Sequence, residues 1–485
     1  MARRTSISVA CISLLAAVAQ AAVIYVDVAN NSGYEDGSQY APYNTIQEGL
    51  NAAGNGCTVQ VAPGEYVERI SMPSGLTSLL LTSELPWEYS CVAETIVNAD
   101  TDSNPSSANG PALTLLSGHG PGVTIRGLTI TGGYYSSGGG GVVGNYSQAV
   151  IENCIIRGNR AGGGGGLNLF NGYLRCSIVC GNEALAADGG GLRLCDCDVT
   201  DTIICHNRAA YSGGGMYDCD GDIVNCLIVD NCAIYNGGGI RQCNGNCYNC
   251  TFANNRGTNG GAISDCSFGY MSVNNIVWGN QSYLSNHVNN TTNLQYSCIE
   301  DWTGGGIGNF AANPLFVGTS MGYYCLSSTT AGQPATSPCI DGGTPGALTY
   351  GTTTLDGAED ANHDDMGFHY PVPDPKTYSL PSGWSLIGWQ EDEPYSPLRI
   401  SNAKVIWGPS TYTWDQAVTM GLVQGQVYYY VTGSGYGVLA SSGGNDDRFR
   451  SGRGYWILNQ SGSSLILETP TQTVFGQCWV GSGIK

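Results

Sequence analysis

Lysine is almost missing from this chain. It occurs three times, at Lys376, Lys404 and Lys485, so the first 375 residues hold none. Acids outnumber bases by 38 to 18, and the formal net charge is −20. Such a surface repels nucleic-acid backbones and anionic lipid heads, which excludes partners that need a basic patch. Histidine is scarce too, with five in 485 residues and no nucleophile motif beside them, so a Ser-His-Asp arrangement cannot be argued. Long apolar runs are also lacking. The nearest is Ile7 to Ala19, which is too short to span a bilayer, and no later segment has a membrane helix's length and apolarity.

That run reads as part of a secretory signal. Arg3 and Arg4 supply the charged start, and Ala19-Gln20-Ala21 supplies the small-x-small cleavage pattern. Residues 1–21 are therefore expected to be a signal peptide, and the destination secreted or cell-surface. Twenty cysteines, nineteen of them beyond residue 21, permit disulfides in an exported protein.

Glycine is what the chain has in excess, at 72 residues. Glycine runs followed by an apolar residue end at Val142, Leu167, Leu192, Met216, Ile240 and Ile263, in steps of 25, 25, 24, 24 and 23. A second mark, apolar-x-x-Asn, gives Asn159, Asn182, Asn207, Asn231, Asn255 and Asn280, in steps of 23, 25, 24, 24 and 25. Two independent marks in one period indicate a solenoid. Triple glycines and β-branched residues deny a helical repeat, and leucine-rich spacing is missing. Short strands joined by tight turns remain, with coils about 4.8 Å apart. The asparagines are expected to form a structural ladder, their amides bonding backbone groups of neighbouring coils. Ile156, Val179, Ile204, Ile228, Phe252 and Val277, three residues earlier, are expected to point into the coil.

The same period answers a question raised by Cys243, Cys247 and Cys250. Their C-x3-C-x2-C spacing is that of an iron–sulfur cluster. Their phases differ, however. Cys243 aligns with Phe170, Cys195, Cys219 and Cys266, and Cys247 with Leu174, Val199 and Ile223. Cys250 aligns with Cys154, Ser177, Thr202, Cys226 and Asn275. Apolar and small column mates point to packing, not ligation. The in-phase Cys195, Cys219, Cys243 and Cys266 are open to two readings, inter-coil disulfides or stacked buried thiols.

At these residues the chain resembles right-handed parallel β-helix proteins of the pectin-lyase-like superfamily. "GGAI" at 260–263 and "FANN" at 252–255 are similar to the repeats of polymorphic outer-membrane proteins. The opening segment at 25–68 and "NPLFVGTSMGYYCLSSTTAGQPATSPCIDGG" at 313–343 resemble the two ends of exported β-helix domains. The resemblance implies an all-β fold: a right-handed parallel β-helix solenoid over 22–370, clearest at 138–280, with a short N-terminal capping helix within "YNTIQEGLNAA". Asn44 is the expected N-cap, with Gln47 three residues on. "PVPDPK" at 371–376 reads as a stiff linker, 377–470 as a small C-terminal all-β module, and 471–485 as a tail. Trp384, Trp389, Trp407, Trp414 and Trp456 are either that module's core or a sugar platform.

The superfamily holds lyases, hydrolases and non-catalytic surface proteins, so activity must come from residues. Pectate-lyase-type elimination needs an acidic calcium site and a basic side chain, and with no lysine in the repeats only arginines are on offer. Arg193 and Arg241 occupy equivalent positions two coils apart with Tyr217 between them, which makes these three the glycan-contact candidates. "GHG" at 118–120 matches a polygalacturonase stretch but lacks an arginine-x-lysine partner. In "LDGAEDANHDDMGFHY", Asp356, Asp360, Asp364 and Asp365, with Glu359, are candidate calcium ligands or an acidic turn closing the helix. No other cofactor is expected.

The function read from the sequence is an exported, non-catalytic β-helix scaffold that contacts glycans or protein partners. The alternative is a polysaccharide lyase or glycoside hydrolase, with converging carboxylates, or a carboxylate and an arginine, as its mark. A self-transporting surface protein would need a membrane barrel, whereas the residues after Tyr370 read as a soluble module.

Overall fold

In a computed structural model the chain is described over residues 22–100, 110–318, 324–345, 352–354 and 363–370, and over 377–380, 382–388, 404–407, 410–424, 426–431, 435–440, 454–461 and 463–468. The signal, linker and tail segments lie outside the described residues. So do Asp356, Glu359, Asp360 and Trp389.

The period of the sequence is one turn of a parallel β-helix with about nine turns. One coil shows the plan, with strands Leu167–Phe170, Tyr173–Arg175, Ile178–Cys180 and Glu183–Ala184. Each starts or joins a file of like strands. The four resulting sheets, taken in that order, hold nine, nine, ten and seven strands. Pairing within them is parallel and in register. In the first sheet Leu167, Leu192, Met216, Ile240 and Ile263 are successive Cα partners. All five are buried in one continuous core with Ile156, Val179, Ile204, Ile228, Phe252 and Val277 of the third sheet.

In successive coils the turns between the second and third sheets each hold one residue with positive φ: Asn153, Cys176, Asp201, Asn225, Asn249 and Asn274, at φ 44–60°. Asparagine and aspartate suit this left-handed conformation because their short side chains bond locally. The second glycine of each run answers a different need. A Cβ on Gly214 would overlap the Gly238 carbonyl oxygen of the next coil, so the coils can close to strand spacing only without one.

The third sheet is apolar on both faces, as strands buried on both sides are. Its inner residues enter the main core. Its outer residues, among them Ile155, Ile178, Ile203 and Leu227, pack under Val92 of the helix Tyr89–Glu94 and under Cys325, Phe368 and Tyr370 of the closing segment.

A helix, Ile46–Ala52, caps the N-terminal end and buries Ile46 and Leu50 in the core. Its N-cap is Thr45, not Asn44: the Glu48 backbone N–H donates to Thr45 Oγ1 at 3.3 Å. Asn44 instead donates to Glu35 Oε1 at 2.6 Å. The Glu68 carboxylate takes two more free N–H groups of the helix start, from Ile46 at 2.6 Å and Gln47 at 3.1 Å. At the other end the strands Phe316–Val317 and Cys325–Leu326 form an antiparallel pair, and residues 363–370 run back across the coils. Along that path the Gly367 N–H donates to Asn274 O, the Phe368 N–H to Thr251 Oγ1 and the His369 N–H to Asn225 Oδ1.

Beyond the helix, strands from Thr377–Leu380 to Leu465–Glu468 form two four-stranded antiparallel sheets. The helix Trp414–Thr419 carries a capping box between Thr413 and Gln416. Trp414 is fully buried in this module's core, whereas Trp407 is 40% exposed.

Candidate functional site

Leu192, Met216 and Ile240 face the core, so the next residue in each strand, Arg193, Tyr217 and Arg241, faces outward. The three are successive Cα partners, and the structure therefore brings the glycan-contact candidates into one file. The Arg241 guanidinium carbon lies 5.9 Å from the Tyr217 ring centroid. Its Nε donates to Asp265 Oδ2 at 3.0 Å and its Nη1 to Ser212 Oγ at 3.1 Å. Arg193 Nη1 donates to Asn168 Oδ1 at 3.4 Å.

Two further strips flank this file. On the side where the chain enters the sheet stand Tyr211 and Tyr235, one coil apart. The Tyr235 N–H donates to Tyr211 O at 2.8 Å. Their rings stack with centroids 5.7 Å apart and planes at 24°. They are 48% and 52% exposed, and Ile234 beside them is 50% exposed. Ser212, next in sequence to Tyr211, is the acceptor for Arg241 and so joins this aromatic strip to the basic file.

On the side where the chain leaves the sheet lies an acidic strip. Asp218, Gln242 and Asp265 make the turns, at φ 53°, 54° and 55°. Two residues past Asp218 a polar file begins. The Asp220 N–H donates to Asp196 Oδ1 at 3.3 Å, and Asn244 donates to Asp220 Oδ1 from its backbone at 3.1 Å and its side chain at 2.9 Å. Burial raises the Asp218 carboxyl above its ordinary value, Asp220 and Asp196 add to the rise, and Arg193 opposes it. Burial works against ionisation at Asp265 too. There hydrogen bonds from Asn290 and Arg241 outweigh it and hold the carboxyl below the usual range. Desolvation, then the Asp188 charge, raise the Tyr217 phenol.

The face thus presents aromatic, basic and acidic strips side by side. It offers flat apolar ring surface, guanidinium donors and carboxylate acceptors to one extended ligand.

The three cysteines of cluster spacing are each fully buried; the Cys247 and Cys250 thiols touch each other, while Cys243 stands in a different file. The Cys243 N–H donates to Cys266 Sγ at 3.4 Å, Cys247 Sγ to Asn275 Oδ1 at 3.5 Å, and Cys250 Sγ to Ile223 O at 3.5 Å. Burial pushes the Cys154 thiol up to about 12 and raises Cys226 and Cys250 as well. Among the described residues no three His, Cys, Asp or Glu side chains gather as a metal-binding group. Of the calcium candidates, Asp364 and Asp365 are described, and both are buried. Asp364 Oδ2 accepts from Asn274 Nδ2 at 2.8 Å, and Asp365 accepts from the Asp341 N–H at 2.8 Å and from the Thr353 hydroxyl. Asp364 ties the closing segment to the last coils, and Asp365 ties parts of that segment to each other.

The sequence reading missed Tyr211 and Tyr235. Both stand four residues after a ladder asparagine, so counting forward from Asn207 and Asn231 finds them. It also missed Arg160, Arg208 and Arg256, each one residue after a ladder asparagine and exposed on the fourth sheet, where Glu183 pairs with Arg160 at 3.4 Å and Arg208 at 3.6 Å.

No protein-family profile matches the chain, and no curated protein matches it by sequence. Among solved structures it is similar to pectate lyase Pel9A, at 13% identity over 72% of this chain and 98% of that one, with a TM-score of 0.40. It is also similar to the pectin methylesterase from Aspergillus niger, at 14% identity over 60% of this chain and 84% of that one, with a TM-score of 0.28. The fold assignment stands on the strand pairing itself.

Proposed function

We propose that this chain is an exported, non-catalytic β-helix scaffold that binds glycan along the face of Tyr211, Tyr235, Arg193, Tyr217 and Arg241. The observation that carries the reading is the stacked, half-exposed pair Tyr211–Tyr235 beside the arginine–tyrosine file. An exposed phenol ring meets the C–H face of a sugar, while its hydroxyl and the nearby guanidinium groups bond sugar hydroxyls. The rigid coils fix the spacing of these groups in advance, which lowers the ordering cost of binding. Export rests on the charged start, apolar run and cleavage pattern of residues 1–21. Among the described residues no helix is long and apolar enough to cross a membrane.

The test is a binding screen of the purified full chain against neutral and uronic-acid polysaccharides, with and without calcium. Binding without turnover supports the reading. Failure to bind any of them contradicts it.

One observation favours the second reading, a lyase or hydrolase. Asp218, with its raised carboxyl, lies on the same face as Arg193, and a carboxylate tuned this way suits proton transfer. Unsaturated products or new reducing ends in the same screen, lost in Asp218→Asn, would establish that reading instead.

A further inference from the structure

Seven cysteines of the coils have a shared habit. Cys195, Cys219, Cys243 and Cys266 each donate the thiol to the carbonyl two residues back, at 3.3, 3.3, 3.5 and 3.4 Å. Cys154, Cys226 and Cys250 do the same at 3.3, 3.2 and 3.3 Å. Cys154, Cys226 and Cys250 also donate to a carbonyl of the preceding coil, and Cys219, Cys243 and Cys266 touch in file, but the coils these thiols would join are already held by continuous strand pairing.

Cys298 and Cys339 differ in position: among the described residues no strand pairing joins the stretches that hold them. Cys298 lies in the last strand of the third sheet, Cys298–Ile299, and Cys339 in the closing segment, 41 residues later. Both are fully buried in one small cluster with Ile276, Leu326 and Met366. Cys298 Sγ reaches Ala312 O at 3.0 Å, on the stretch that bridges to Cys298 at Phe310, and not back along its own strand. The two side chains are hydrogen-bonded to each other, which holds the Cys298 thiol below its ordinary value and raises that of Cys339. Cys339 also stands where the closing segment is tied. Its carbonyl accepts from the Met366 N–H at 3.0 Å, and the neighbouring Asp341 N–H reaches Asp365.

We propose that Cys298 and Cys339 form a disulfide that clasps the closing segment onto the last coil. This rests on the export reading, since an oxidising compartment is where such a bond persists. The oxidant is the disulfide of a dithiol–disulfide exchange protein. The Cys298 thiolate attacks one of its sulfurs, forming a mixed disulfide and releasing one thiolate of the partner. Cys339, deprotonated in turn, attacks Cys298 Sγ, forming the intramolecular bond and expelling the mixed-disulfide sulfur. Two electrons pass to the partner, and the two protons lost from Cys298 and Cys339 end on its thiols. Both cysteines are buried once the closing segment has docked, so exchange precedes or accompanies docking. The clasp holds the closing segment against Ile276 and Cys298 in the last strands of the third sheet, near the end of the coil, where an open parallel edge would pair with another chain.

The test uses the full chain, made with its own leader in a bacterial host and recovered both from the periplasm and from the cytoplasm. Free thiols are alkylated under denaturing conditions without reductant, and the digest is mapped by mass spectrometry. A peptide pair joined through Cys298 and Cys339, separating on reduction, is the expected result. Reductant should also lower the melting temperature of the native chain and leave that of Cys298→Ala/Cys339→Ala unchanged. In parallel, purified reduced chain is unfolded and refolded in oxidised glutathione. Two alkylated cysteines there, or either residue joined to a different cysteine, overturns the clasp. If the bond forms on refolding but the chain stays in the cytoplasm, the clasp stands and the export reading fails.

Discussion

Asn182 stands directly on Asn207: its backbone N–H and its side-chain Nδ2 both donate to Asn207 Oδ1, each at 3.0 Å. Asn207 repeats the contact to Asn231 with the same two distances, and its Nδ2 also donates to Val179 O at 2.9 Å. All three asparagines are buried. Asn207→Ala strands the Asn182 donors and the Val179 carbonyl, at about 1–3 kcal/mol for each buried group left unpaired. The expected result is a large drop in the denaturation midpoint, greater than for Asn244→Ala on the exposed polar file. Urea unfolding of the two variants checks this.

Gly214 and Gly181 separate steric need from conformational need. At Gly181, with φ 61°, a Cβ meets nothing within 4 Å, so Gly181→Ala costs only the left-handed conformation, about 1–2 kcal/mol. At Gly214 the Cβ collides with backbone of the adjacent coil. Gly214→Ala should therefore destabilise more than Gly181→Ala, and should speed hydrogen exchange in the strands Met216–Tyr217 and Ile240–Arg241.

Three buried thiols, those of Cys154, Cys226 and Cys250, should be inert. Cys154, Cys226 and Cys250 have raised thiol pKa values, so they stay protonated at pH 8, and the thiolate is the reactive form. In the native chain at pH 8 these residues should resist iodoacetamide, and after unfolding they should react. Peptide mapping of the alkylated sites reads this directly. Labelling of native Cys250 would contradict the packed core.

Asp218 and Asp265 should pull stability in opposite directions with pH. The Asp265 carboxyl is depressed in the folded chain, so its contribution is present above the unfolded value, about 3.9, and disappears as pH falls through the lower folded value. The Asp218 carboxyl is raised, so ionisation destabilises the folded chain at neutral pH, and protonation relieves this as pH falls through the raised value. At pH 7, Asp265→Asn should lower the melting temperature and Asp218→Asn should raise it. Both differences should shrink toward zero in acid. Melting curves between pH 7 and 3 check the signs.

The coil was legible because its two marks are local in cause. Glycine is forced where coils touch and asparagine where an amide must bridge them, so both recur at every turn. The apolar triplets of the third sheet were harder to interpret, because Ile178 and Ile203 face away from the core and are buried by Val92 and Tyr370, far off in the chain. The helix start failed for a similar reason: the Glu68 carboxylate arrives from a later strand to take N–H groups that local capping rules would give to Asn44. The aromatic strip escaped notice because the turn before the first sheet varies in length. Tyr211 bonds back to Ala187, five residues past Asn182, whereas Tyr211 itself lies four past Asn207.

The measurement that tests the functional account most directly is titration of the full chain and of Tyr211→Ala/Tyr235→Ala with a polysaccharide that binds it. The account predicts at least a tenfold loss of affinity, about 1.4 kcal/mol or more, with an unchanged melting temperature. Equal affinity in the two proteins would contradict it.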